Sequence, residues 1–450
     1  MRSSWRRSSE CLRKTRRIRH EICLRLLQRS DEHRGRPDGD PGREADGVQP
    51  RAAGVRCGSR PDHAGEADAG EGRGKMKENV LERNARLDTE RKIADFRVKQ
   101  QMDYAFKVKY AKIRAWEFYD HPDVAGSCYV AVGGLDSITL LLFLRSIGID
   151  VPAISVSSLE DKSIQLIHKQ LGVKPLKPLK SKVEVLREYG WPVISKEVAG
   201  KISLLQNPSE KNATVRHAII TGETGAYGGF RMGTRMKLAQ KWLEIFGGYE
   251  NENEGVSYKT PDFLVSDKCC YYLKEKPCSD YAKETGSFPY MGLMASEGGR
   301  RQKALMMNGC NYISPGTKRS CPFAIFSRQD LLQLALDLQV PVPEIYGEIV
   351  RDADGTLRTT KAQRTGCSMC GFGVHMEKRQ HRFDRLWERN PKEWEMWMNH
   401  VMQDDRGNWY GWGRVLDYIG VEWRDPEYAL LNPDELPGQM IFDGMEASAL

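Results

Sequence analysis

The chain has 450 residues, 40% of them hydrophobic and 29% charged, enough to bury a substantial core in two or three domains. No run of about 18 apolar residues occurs, which excludes a helical membrane span. Most of the net charge of +8 comes from residues 1–75, with 18 basic against 12 acidic side chains, so the rest is nearly balanced and charge alone makes no case for nucleic acid.

Residues 1–75 lack apolar periodicity and are crowded with Arg, Gly, Asp, Ala and Pro. They read as disordered, or as a non-native extension ahead of a start at Met76 or Met102. From Met76 to Tyr119 the pattern turns helical, with Phe96, Met102, Phe106, Tyr110, Ile113 and Phe118 on one face and Pro122 beyond. Residues 76–125 are therefore expected to form an N-terminal helical segment.

The next stretch, SCYVAVGGLDSITLLLFLR from Ser127 to Arg145, has three parts. Cys128–Val132 has the β-branched apolar character of a buried parallel strand. Gly133, Gly134, Leu135, Asp136 and Ser137 form a tight turn, and Ile138–Leu144 is apolar nearly all round, as a buried helix would be. A strand, a glycine loop and a helix make an anion cradle, because the backbone can approach closely and the helix N–H groups point at the ligand. Ser137 would add a hydroxyl, and Asp136 would hold a metal or orient the loop. Glycines used for close packing alone would leave the same pattern. It is neither a Walker loop nor a dinucleotide fingerprint.

Further strands are predicted at Val151–Val156, around Pro175–Leu179, at Phe288–Ala295 and at Pro322–Phe326. Helices are predicted at Glu160–Leu171, Lys182–Glu188, Thr234–Phe246, Arg300–Met307 and from the Ser327 cap through Leu338. This alternation implies parallel βαβ units with a ligand at the carboxyl ends of the strands. Residues 126–345 are thus expected to be a nucleotide-binding α/β domain. Residues 207–233, with Gly222, Gly225, Gly228, Gly229 and Gly233, read as a flexible connector or a lid. Residues 346–450 form a cysteine-bearing helical region with helices at Met376–Glu388 and Pro391–Met402. Its tryptophans at 387, 394, 397, 409, 412 and 423 read as core rather than as base-stacking platforms.

Eleven cysteines in a chain of this length do not make a secreted disulfide scaffold. The adjacent Cys269 and Cys270, then Cys367 and Cys370 after 96 intervening residues, favour metal or redox use in a reducing, cytoplasmic setting. Four thiolates suffice for a [4Fe–4S] cluster or a zinc site, and four unconnected buried thiols are the plain alternative.

The glycine turn resembles the pyrophosphate loop of the adenine nucleotide α-hydrolase (PP-loop) superfamily at Gly133, Gly134, Asp136 and Ser137. Val132 stands where that family carries Ser, and Leu135 at a variable position that is often Lys. A Cys-Cys pair, a long interval and Cys-x-x-Cys resemble the cluster signature of APS reductases. WPVISKE, SDKCCYYLKEKP, NGCN, PEIYGEIV, RTGCSMCGFGVHMEK and VLDYIGV are similar to PAPS reductase-like proteins of bacteria and phages. The match covers about residues 102–421. The resemblance implies a Rossmann-like parallel sheet with a cysteine-bearing C-terminal part. It implies an adenine nucleotide (PAPS, APS or ATP) at Gly133, Gly134, Asp136 and Ser137, with Arg300 and Arg301 at its anionic end. It further implies an iron–sulfur cluster, with zinc as the alternative, on Cys269, Cys270, Cys367 and Cys370, and a thioredoxin-like reductant. The family's nucleophile lies in a Glu-Cys-Gly-Leu-His tail, whereas this sequence has no cysteine after Cys370. That departure opens a second expectation, a PP-loop sulfurtransferase using ATP and magnesium, a sulfur donor and a tRNA or DNA acceptor.

Overall fold

The computed structural model describes residues 80–223, 236–248, 250–251, 256–367 and 369–431. The expectations for 1–75 and for Gly225, Gly228, Gly229 and Gly233 lie outside the described residues.

The chain opens with α1 (Val80–Gln101) and α2 (Tyr104–Tyr119). Asp103 divides the two by accepting the Phe106 N–H at 2.7 Å, a side-chain cap on α2. Then come β1 (Cys128–Ala131), α3 (Leu135–Ser146), β2 (Ala153–Ser155), α4 (Lys162–Gln170) and β3 (Lys174–Pro175). After a long insertion the sheet resumes with β4 (Phe288–Tyr290), β5 (Asn311–Ser314) and β6 (Thr317–Ser320). The strand order is β3-β2-β1-β4-β6-β5, parallel except for the β5–β6 hairpin. The fold is therefore α/β with a parallel-dominated central sheet. The chain builds outward from β1 to β3, then returns to the other side of β1 with β4. The order reverses between β1 and β4, which in open parallel sheets is where a crevice forms.

Several expectations change. Of Phe288–Ala295 only Phe288–Tyr290 is strand, and Ala295 opens a 3-10 turn. Of Met376–Glu388 only the part from Arg382 is α-helix, with Met376 in a 3-10 turn before it. Pro322–Phe326 is a turn, and the strand is the polar stretch Thr317–Ser320 before it. The apolar run is explained by burial, since Phe323 and Phe326 are wholly inside, and Pro322 has no N–H to give a ladder. Within 207–233, Ala213–Thr221 is a helix closed by Gly222 in the left-handed region (φ +84°).

One core packs α2, α3 and the sheet around Phe118, Val130, Leu135, Ile138, Leu141, Tyr290 and Phe323. Leu135, Ile138, Leu140 and Leu141 are fully buried, and each contributes about 1.5–3 kcal/mol by leaving water. Packing thus fixes α3, and the loop ahead of it inherits that position. A second core combines the insertion with the C-terminal region, around Trp191, Phe246, Phe383 and Trp412. Its seam pairs Val193 with Gly371 and Ile194 with Phe372, in parallel. A Cβ on Gly371 would lie 2.4 Å from the Trp412 ring, so only glycine fits there. Trp394, Trp412 and Trp423 are core, as their spacing predicts, whereas Trp409 is 55% exposed. A separate small apolar cluster joins Val156, Leu159, Val185, Cys269 and Leu273, with Cys367 packed on it.

Candidate active site

The glycine turn follows β1 at the point where the strand order reverses. Gly134 is the N-cap of α3 with no side-chain cap bond. The loop is tied from within. The Ser137 hydroxyl accepts the Gly133 N–H at 2.7 Å and donates to the Gly134 carbonyl at 2.9 Å. His168, 1% exposed on α4, sits 2.8 Å from the Gly133 carbonyl through Nε2 and 3.0 Å from the Ser157 hydroxyl through Nδ1. A carbonyl can only accept, so Nε2 carries the proton and Nδ1 accepts from Ser157. Burial lowers the His168 pKa and keeps the ring neutral. A Cβ on Gly292 would come within 2.9 Å of the Asp136 carbonyl, so the segment after β4 packs directly on the loop.

Gly134 is glycine for a reason that its dihedral does not supply, since its φ is −77°. A Cβ there would lie 2.2 Å from the Tyr346 hydroxyl and 2.9 Å from Thr365 Oγ1. The same hydroxyl accepts the Leu135 N–H at 3.1 Å and lies 2.6 Å from Thr365 Oγ1.

Charge collects beside the loop. The Asp136 carboxylate accepts from Arg328 Nη1, and Arg328 Nη2 also donates to the Gln363 carbonyl at 3.0 Å. Burial raises the Asp136 pKa, and Arg328 opposes it. This pair ties Asp136 through Arg328 to the segment at Gln363. Glu297 is nearly buried and accepts from both Arg301 and Arg364. Arg300 is in the helix Gly299–Asn308, and its side chain is outside the described residues. Arg328 and Arg364, from separated stretches, thus both act on Asp136, and Arg301 is tied to the same neighbourhood only through Glu297.

The cysteine pairs meet on the far side of Glu160. Cys269 and Cys270 begin a helical run through Thr285 that contains a π-turn at Tyr271–Glu275; such wide turns often mark functional sites. Cys269 and Cys270 each interact electrostatically with Cys367 and Cys370, so the fold brings the four thiols into one neighbourhood. Burial pushes Cys269 up to about 12 and Cys270 up to about 11, and raises Cys367. Basic side chains surround them. Lys182 acts on Cys269 and Lys196 on Cys270, and Arg382 Nη1 donates to the Cys370 carbonyl at 2.9 Å. Lys274 donates to Glu160 at 2.6 Å. Burial opposes its charge, but Cys367 and Glu160 outweigh burial and hold the ammonium protonated. Glu160 Oε1 is in turn 3.5 Å from where a Gly133 Cβ would sit. Glu160 thus packs beside Gly133, and its ion pair with Lys274 reaches Cys367. A four-thiol donor set amid cations fits a thiolate-bound cluster in its chemistry. Among the described residues, however, no three His, Cys, Asp or Glu side chains are already spaced as metal ligands.

Arg328, Tyr346, Thr365, His168 and Glu160 were not marked by the sequence. Each acts on the loop or the thiols across a long separation, such as the 211 residues between Leu135 and Tyr346. Lys274 carries one local signal, its place four residues after Cys270 on the same helical face.

No family model and no curated protein matches the chain. Among solved structures, it is similar to the phosphate complex of phosphoadenylyl-sulfate (PAPS) reductase from Candida auris. The likeness covers 55% of this chain and 89% of that one, at 13% identity and a TM-score of 0.28. No described helix is long and apolar enough to cross a membrane.

Proposed function

We propose that this chain is a PAPS/APS reductase-like oxidoreductase that binds an adenine sulfonucleotide at the loop Gly133–Ser137, beside a [4Fe–4S] cluster on Cys269, Cys270, Cys367 and Cys370. The observation that supports the reading is the neighbourhood itself, a glycine loop at the sheet's reversal with Glu160 packed beside Gly133 and paired to Lys274, which reaches Cys367 among four neighbouring thiols. The N–H groups at the start of α3 receive the anionic end of the nucleotide, although that of Leu135 is donated to Tyr346. Arg301, Arg328 and Arg364 add positive charge, and His168 and Ser137 keep the loop in shape. The bound cluster would supply a redox-capable, negatively charged centre that the surrounding lysines balance. A thioredoxin-like dithiol would supply the two electrons that convert the sulfonucleotide's sulfate to sulfite.

A second reading has its own support. Outside the four clustered thiols, Cys128, Cys310 and Cys321 are buried, each pushed up to about 12 by burial, and Cys278 is raised for the same reason. Among the described residues, none of these thiols has the depressed pKa of an attacking thiolate. This favours a PP-loop sulfurtransferase that adenylates its acceptor with ATP and magnesium and takes sulfur from a donor. Product analysis separates the two. Sulfite released from PAPS or APS with thioredoxin marks the reductase, AMP and pyrophosphate from ATP mark the transferase, and no binding of any of the three nucleotides refutes both.

A further inference from the structure

The Tyr346 hydroxyl sits directly against the backbone of the glycine loop. It accepts the Leu135 N–H at 3.1 Å, at the first residue of α3, and would lie 2.2 Å from a Gly134 Cβ. Tyr346 is 3% exposed and ends a 3-10 turn, and Gly347 follows in the left-handed region (φ +70°). Its second polar contact is Thr365 at 2.6 Å. The neighbouring residues 363 and 364 are held by Arg328 and Glu297, so three consecutive residues are pinned at the mouth of the loop.

We infer that Tyr346 is a positioning residue that acts as an internal stopper, its hydroxyl competing with the ligand's oxyanion for the Leu135 amide. This rests on the nucleotide-loop reading and deepens it. A phosphate or sulfate oxygen has to displace the hydroxyl from that amide or use the remaining N–H groups of the turn. Displacement would also break the contact with Thr365, two residues before Cys367, so filling the loop would shift the segment that carries the second thiol pair.

The test uses Tyr346→Phe, which keeps the ring and removes the oxygen. Inorganic pyrophosphate is the calorimetric probe, and Leu135 amide hydrogen exchange is a readout that needs no ligand. The Phe variant should exchange the Leu135 amide faster. It should also bind pyrophosphate about three- to tenfold more tightly, the worth of one freed hydrogen-bond donor. Unchanged exchange, or equal or weaker binding in the variant, overturns the role of Tyr346, because a hydroxyl that serves the ligand would cost affinity when removed. If neither protein binds pyrophosphate, the loop reading fails and the competition fails with it. Equal binding in both would sink the stopper alone.

Discussion

The glycine loop and the thiol neighbourhood differ in what holds them. The loop is tied by hydrogen bonds from its own chain. Ser137, His168 and Tyr346 each bond one of its backbone groups, and a largely buried helix fixes it from behind. The thiols are gathered from two segments about a hundred residues apart. They are held by apolar packing and by lysines, with no ready ligand geometry among the described residues. Filling the loop would require a ligand to displace the Tyr346 hydroxyl from the Leu135 N–H or to use the remaining N–H groups of the turn. A thiol site of this kind would gain order from a bound metal or cluster, which would couple binding to folding.

That contrast can be broken from either side. Gly134→Val has the largest expected effect, because a β-branched side chain collides with the Tyr346 hydroxyl and Thr365. It should destabilise the protein by about 3 kcal/mol, as overpacking does, and abolish nucleotide binding. Urea unfolding and calorimetry with PAPS and ATP would check this, and wild-type stability together with wild-type binding would contradict it. Adding Tyr346→Phe should recover part of the lost stability.

Lys274→Met cuts the link between the two regions and leaves Glu160, 4% exposed, without its cation. A fully buried broken pair costs more, but Lys274 is 36% exposed, so about 2 kcal/mol is expected. Denaturant midpoints should fall, and nucleotide affinity should fall with them if Glu160 positions the loop. A variant with unchanged stability would show that the pair is only a surface contact.

His168 gives a smaller, pH-dependent effect. Its pKa is lowered in the fold from an ordinary 6.5, so on acidification the unfolded chain takes up a proton before the folded one does. The stability that His168 contributes is present above pH 6.5 and is lost as pH falls through the lowered folded value. The stability gap between wild type and His168→Gln should therefore shrink from pH 7.5 to pH 5.5, measured by thermal unfolding. A gap that widens on acidification would refute the neutral, loop-holding imidazole.

The same contrast shows what could be read without coordinates. The strand, loop and helix of 128–146 are contiguous, so local pattern reveals them, and so does the capping box of Ser327 and Asp330. The cysteine pairs were visible as a spacing, but their electrostatic neighbourhood depends on the pairing of Gly371 with Val193 and on a π-turn, neither of which leaves a local signal. The β5–β6 hairpin was missed because its partly exposed strands are polar, while the apolar run after it is buried without being extended. Tyr346, Arg328 and Glu160 reach their partners across 211, 192 and 114 residues, separations over which one sequence carries no periodicity.

The central claim joins a nucleotide loop to a four-thiolate cluster, and metal analysis of anaerobically purified protein tests it most directly. The account predicts about four irons and four acid-labile sulfides per chain. It also predicts that Cys269→Ser and Cys367→Ser each remove them while Cys310→Ser does not. One zinc with no iron, or iron that survives loss of Cys269 but not of Cys310, would contradict it.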